Sequence, residues 1–203
     1  MKKRISLLVT IAVLATGFGI YQFAKDDPYT NLQVGSNQAA FKTHENIVEL
    51  ETESDLVVLA NFTGQREQFN EKDNLGRVSN TVTKSVVEVE KVLKGNVQKK
   101  DKINVFEDCY IWNNERYITT EGYKWMNEDG KYLLFLSRSG IENSFVIVGI
   151  YEGKYDVNLK NHPTKHNEMK KAFLDPEVEF LGHGDDIERF YKLKEQAVKK
   201  YGL

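Results

Sequence analysis

VVEVEKVLKGNV at residues 86–97, read together with KYLLFL at residues 131–136, decides the fold. In the first stretch Val87 and Val89 alternate with Glu88 and Glu90, the period-two pattern of a strand with one buried face. After Lys91 the parity fails, because Val92 falls on the face of the glutamates. A bulge at Glu90-Lys91 restores it and lets the strand turn a barrel corner. Lys94-Gly95-Asn96 then makes a turn. The second stretch is apolar on both faces, as in a strand covered on two sides. Together they predict a small β-barrel or sandwich core, and neither carries a reactive group.

Outward from these, residues 56–62, LVVLANF, begin as another strand apolar on both faces, and residues 103–106 and 145–151 continue the pattern. Residues 65–80 are polar, with Asn70, Asp73, Asn74 and Gly76, and read as the loop of a wide hairpin. Asp129-Gly130 reads as a hairpin turn into residues 131–136. Glu152-Gly153 turns the chain into residues 154–157, with the glycine supplying a positive φ. The pattern gives about six strands between Leu56 and Val157.

Two helices flank them. Residues 43–53 suit a short helix with Thr43 as N-cap and Ile47 and Leu50 turned inward. Ile187, Phe190, Leu193, Ala197 and Tyr201 form an apolar stripe over residues 186–201, with Asp185 as the cap and the stripe packed on the β body. Residues 158–184 carry turn chemistry and few apolar anchors.

The first residues set the expected location. Lys2, Lys3 and Arg4 precede ISLLVTIAVLATGFGIYQFA at residues 5–24, twenty residues without a charge. As a helix that run spans about 30 Å, the hydrocarbon thickness of a bilayer. The basic cluster puts the N-terminus in the cytoplasm and the remainder outside, as a single-pass membrane protein. The alternative is a signal segment cleaved near Ala15-Thr16-Gly17, which leaves the body secreted. The expected division is a transmembrane anchor or signal segment at 1–24, a linker at 25–42, a β-barrel domain at 43–158 and a C-terminal extension at 159–203.

Charge and motifs narrow the function. Removing Lys2, Lys3 and Arg4 leaves 25 basic against 30 acidic side chains in the body, which offers no electrostatic footprint for nucleic acid. The single cysteine, Cys109, excludes an internal disulfide and a Cys-based zinc site, and reads as a buried small residue. His162 and His166 are four apart, but Pro163 interrupts a helix between them; with His183 they lack a recognisable metal spacing. There is no serine elbow, phosphate loop or dinucleotide fingerprint, so no catalytic residue, metal or cofactor is assigned. Tyr110, Trp112, Tyr117, Tyr123 and Trp125 are interleaved with polar groups that include Arg116. Aromatics beside polar side chains suit a ligand face for a peptide or sugar, and these six residues are the candidate binding set. The competing reading is a satellite core under a long connection.

VEVEKVLKG at 87–95, INVFE at 103–107 and GKYLLFL at 130–136 resemble secreted or anchored bacterial domains of unknown function, with barrels like those of netrin-type modules and metalloproteinase inhibitors. The resemblance covers roughly residues 54 to 158. It implies an OB-like barrel of five or six strands with an associated helix. The animal inhibitors rely on a disulfide framework with an N-terminal cysteine; with Cys109 alone, no inhibitory residue carries over. The expected function is a non-catalytic, extracytoplasmic binding or interaction domain that meets an envelope protein or ligand. The alternatives are an envelope hydrolase or metal-dependent enzyme using His162, His166 or His183, and a structural subunit of a membrane complex.

Overall fold

In the computed structural model, which describes residues 29–159 and 168–203, the chain is mainly β. The described elements are β1 (Gln33–Asn37), α1 (Ile47–Glu53), β2 (Leu56–Lys72), β3 (Val78–Lys94), β4 (Lys102–Glu107), β5 (Cys109–Trp112), β6 (Arg116–Thr120), β7 (Lys131–Arg138), β8 (Ser144–Ile147), β9 (Lys154–Asp156), α2 (Met169–Leu174) and α3 (Asp185–Tyr201). Six strands form one sheet in the order β2-β3-β4-β8-β7-β9, and β1-β6-β5 form a second. Because β2 also pairs with β7, the pairings run in a circuit, β2 to β3, β4, β8, β7 and back to β2. Within that circuit only β4–β8 is parallel.

Residues 86–97 and 131–136 hold this circuit. Val87 and Val89 are buried, and Leu59↔Lys91 followed by Ala60↔Val89 leaves Glu90 without a partner on β2, the expected bulge. The displaced Glu90 carboxylate receives Lys131 Nζ at 2.7 Å from β7, on the far side of β2. Gly95 turns β3 at φ +100°, and a Cβ there would lie 2.7 Å from the Asp55 carbonyl oxygen, so only glycine fits. Tyr132 to Leu136 on β7 are all buried, covered from outside by rings such as Tyr155 and Tyr201 that approach Phe135. One core takes apolar side chains from Leu32 through Ala197.

Several local expectations change. Residues 65–80 are a ribbon rather than a loop: β2 and β3 stay paired out to Lys72↔Val78. Asp73 closes the ribbon by accepting the Leu75 and Arg77 amides on its carboxylate. Along the ribbon most side chains are exposed, with Phe69 turned onto Phe106, so its strands lack the apolar alternation that marks a strand in sequence. The linker is not a simple tether either, since residues 33–37 form β1, parallel to β6. α1 begins later than expected, because the Asn46 side chain, not Thr43, accepts the Val48 and Glu49 amides. Ile47 and Leu50 are buried as expected.

Asp129-Gly130 turns the chain but joins no hairpin, because both edges of β7 are taken by β2 and by β8 with β9. At Glu152-Gly153 the positive φ falls on Gly149 and Ile150 instead. Gly153 is needed for a different reason: a Cβ would sit 2.6 Å from Val148 O and 2.8 Å from Phe135 O. α3 starts at Asp185, with Gly184 in the capping position. Its Phe190, Leu193 and Ala197 pack on the β body, Phe190 against Tyr155 and Phe180. Among the described residues no helix is long and apolar enough to cross a membrane, and the expected anchor at residues 5–24 lies outside them.

Candidate functional site

The outer face of the circuit carries a cleft. Along β3 the buried Ser85 and Val87 alternate with Lys84 and Val86, and along β4 Ile103 and Val105 turn to the inner face and Asn104 and Phe106 to the outer one, where Phe106 is only 7% exposed. Cross-strand partners share a face, so Phe69↔Val82, Lys84↔Phe106 and Phe106↔Val146 bring one apolar patch together from β2, β3, β4 and β8. The Phe69 and Phe106 rings lie 5.0 Å apart at a 40° tilt. Around them a cleft of about 210 Å³ takes its polar lining from Glu71, Asn80, Asp108 and Ser139. Ile141, in the connection between β7 and β8, completes the wall and is 48% exposed. A second hollow of about 260 Å³ follows along the same face, beside the Lys84–Glu67 ion pair.

Two adjacent carboxyls meet opposite fates at this edge. Glu107 points inward, fully buried, and accepts hydrogen bonds from Ser85 Oγ, from Tyr123 OH at 2.7 Å and from the Met126 amide at 2.8 Å. Asp108 follows where β4 bends into β5, and its carboxyl lines the cleft. Burial, with the neighbouring Glu107 charge added, pushes Asp108 up to about 6. Nothing among the described residues donates a hydrogen bond to the Asp108 or Glu71 carboxylate.

The six residues expected to form a ligand face divide. Tyr110↔Ile118 and Trp112↔Arg116 place Tyr110, Trp112 and Arg116 on the outer face of the small sheet, where Trp112 is 55% exposed. Tyr117, Tyr123 and Trp125 are buried. Tyr117 stacks on Phe173 at 4.4 Å, and its hydroxyl donates to the Tyr123 carbonyl at 3.0 Å while accepting the Trp125 amide. Trp125 packs edge-on against Tyr29, and the Arg66 guanidinium lies 4.4 Å from its ring centre. These three rings tie the small sheet to the body and have no surface left for a ligand, so the satellite-core reading describes them. Phe69, Phe106 and Asp108 escape sequence reading because they sit at unremarkable strand positions; only the continuation of the ribbon and the registers bring them together.

The polar cluster around Glu152 is structural. His44, buried, sets Nδ1 at 2.8 Å from Glu152 Oε2 and Nε2 at 3.0 Å from Glu53 Oε2, and its backbone amide donates to the same Glu152 oxygen at 3.0 Å. Arg189 Nε reaches Glu152 Oε1 at 3.0 Å, and its Nη2 reaches Tyr151 OH and Asp186. The cluster fastens the segment before α1 to α3. Cys109 is buried beside Thr83, and burial pushes its thiol well above the ordinary range, so it is unsuited to nucleophilic work. His183 is exposed just before α3, and His162 and His166 lie outside the described residues. Among the described residues no three His, Cys, Asp or Glu side chains are grouped to hold a metal ion. No protein-family model matches the chain, and a search of curated proteins found no match.

Proposed function

We propose that the chain is a non-catalytic binding domain of the cell envelope that holds its ligand in the cleft between Phe69, Phe106 and the β7–β8 connection. The observation that carries this reading is the cleft itself, an aromatic pair with a polar rim on the outer sheet face. Rigid rings give contact area at little entropic cost, and the polar side chains fix orientation. The anchor expected at residues 5–24 would place the domain outside the cytoplasmic membrane, with the N-terminus inside.

The strand circuit supports a finer reading, an OB-like barrel related to the netrin-type modules. Five strands in the order β2-β3-β4-β8-β7, rejoined through β2–β7 and with one parallel pair, suit that architecture. OB barrels bind on the face of their second and third strands, between the loops joining the first two and the last two. Here those correspond to β3 and β4, the ribbon turn and the Ser139 to Asn143 connection, the surroundings of the cleft.

Crosslinking of the full chain in its own membranes, followed by mass spectrometry, tests the assignment. Phe69→Ala is expected to abolish capture of the envelope ligand while Trp112→Ala leaves it intact. Capture that survives Phe69→Ala and fails with Trp112→Ala would move the site to the small sheet.

A further inference from the structure

We propose that the cleft takes a cationic side chain, lysine or arginine, presented by a protein partner. The inference rests on the reading of the cleft as the ligand site and names the chemistry it selects. Its apolar part, Phe69, Val82, Phe106 and Val146, suits the aliphatic stem of such a side chain, and ring faces attract its charged head. The protein already uses this contact internally, with the Arg66 guanidinium 4.6 Å from the Phe62 ring centre and 4.4 Å from that of Trp125.

Charge decides between occupants. Nearby acids are neutralised within the chain: Asp73 by Arg77 at 2.7 Å, Glu67 by Lys84 and Glu90 by Lys131. Glu71 and Asp108 are not, and no Lys, Arg or His lines the cleft. A phosphate or acidic sugar meets two carboxylates there and is repelled. An apolar occupant completes the desolvation of Asp108 without compensating its charge, which is costly. A neutral sugar can donate hydrogen bonds but leaves both charges standing. A cation with an alkyl stem satisfies the rings and the carboxylates together.

The groups lining the cleft with Asp108 are Glu71, Asn80 and Ser139, and Glu107 precedes it in the chain, while the cation on this face, Lys84 opposite Phe106, is held by Glu67. Binding of a cation therefore strengthens as pH rises through about 6, where Asp108 ionises.

Titration of the full chain in detergent, followed by amide NMR, tests this with acetyl-Ala-Lys-Ala-amide, its norleucine counterpart and cellotriose. The lysine peptide is expected to bind with shifts around Phe106 and Asp108, more tightly at pH 7.5 than at pH 5. Asp108→Asn and Glu71→Gln, which keep shape and remove charge, should each weaken it about tenfold. Equal binding of the norleucine peptide, or cellotriose binding alone, with loss on Phe69→Ala, overturns the cationic occupant and leaves the cleft as the site. Peptide binding indifferent to Phe69→Ala and to both carboxylate changes overturns the two readings together.

Discussion

Asp108 gives the most demanding prediction, because a group kept for binding is expected to cost stability. Its carboxyl titrates at about 6 in the folded chain against an ordinary 3.8, held up by burial and by Glu107. A carboxyl raised on folding stabilises the fold below its unfolded value and loses that contribution as pH climbs through the folded one. The gap is about two pH units at 1.36 kcal/mol each, so ionising Asp108 in place costs about 3 kcal/mol between pH 4 and pH 7. Asp108→Asn removes the charge and forfeits no hydrogen bond, since the native carboxyl accepts none. The variant should match the parent near pH 4 and exceed it by about 3 kcal/mol at pH 7.5. Urea unfolding of both proteins across that range reads the difference, and groups common to both cancel. A gap that stays constant from pH 4 to pH 7.5 would refute the argument that Asp108 is a desolvated, unpartnered acid.

Two further outcomes test the interior. Trp112→Ala should change stability by no more than about 0.5 kcal/mol, whereas Trp125→Ala, whose ring packs against Tyr29, Tyr117, Phe173 and Arg66, should cost about 3–5 kcal/mol, both read by chemical unfolding. Lys194 on α3 meets Glu179 where both are buried, so Lys194→Met strands a buried carboxylate and should cost about 3–5 kcal/mol; adding Glu179→Gln should recover most of it in a double-mutant cycle.

How far the sequence reveals this molecule depends on whether a feature is local. Val87 and Val89 alternate, Val92 breaks parity, and the bulge at Glu90 follows from three neighbouring residues. The two-sided apolar run at Tyr132 to Leu136 likewise announces a strand covered on both faces. The ribbon beyond Phe62 does not announce itself, because strands whose side chains are mostly exposed need no apolar alternation. Aromatic density misleads in the Tyr110 to Trp125 region for a related reason. A three-stranded sheet too small to hold its own core docks through rings, so Tyr117, Tyr123 and Trp125 turn inward while Tyr110 and Trp112 stay out. The cleft is assembled from Phe69, Val82, Phe106 and Val146, each ordinary in its own strand, and from Asp108 at the bend between β4 and β5. His44, Glu152 and Arg189 are far apart in the chain, and only the docking of α3 joins them.

The central claim, that the outer-face cleft is where this domain meets its ligand, is tested most directly by mapping the amide shifts caused by the lysine peptide at pH 7.5 on the full chain. Shifts concentrated at Phe69, Val82, Phe106, Asp108 and Ile141 and absent in Phe69→Ala are the predicted result. Shifts concentrated at Tyr110, Trp112 and Arg116, unchanged by Phe69→Ala, would contradict it.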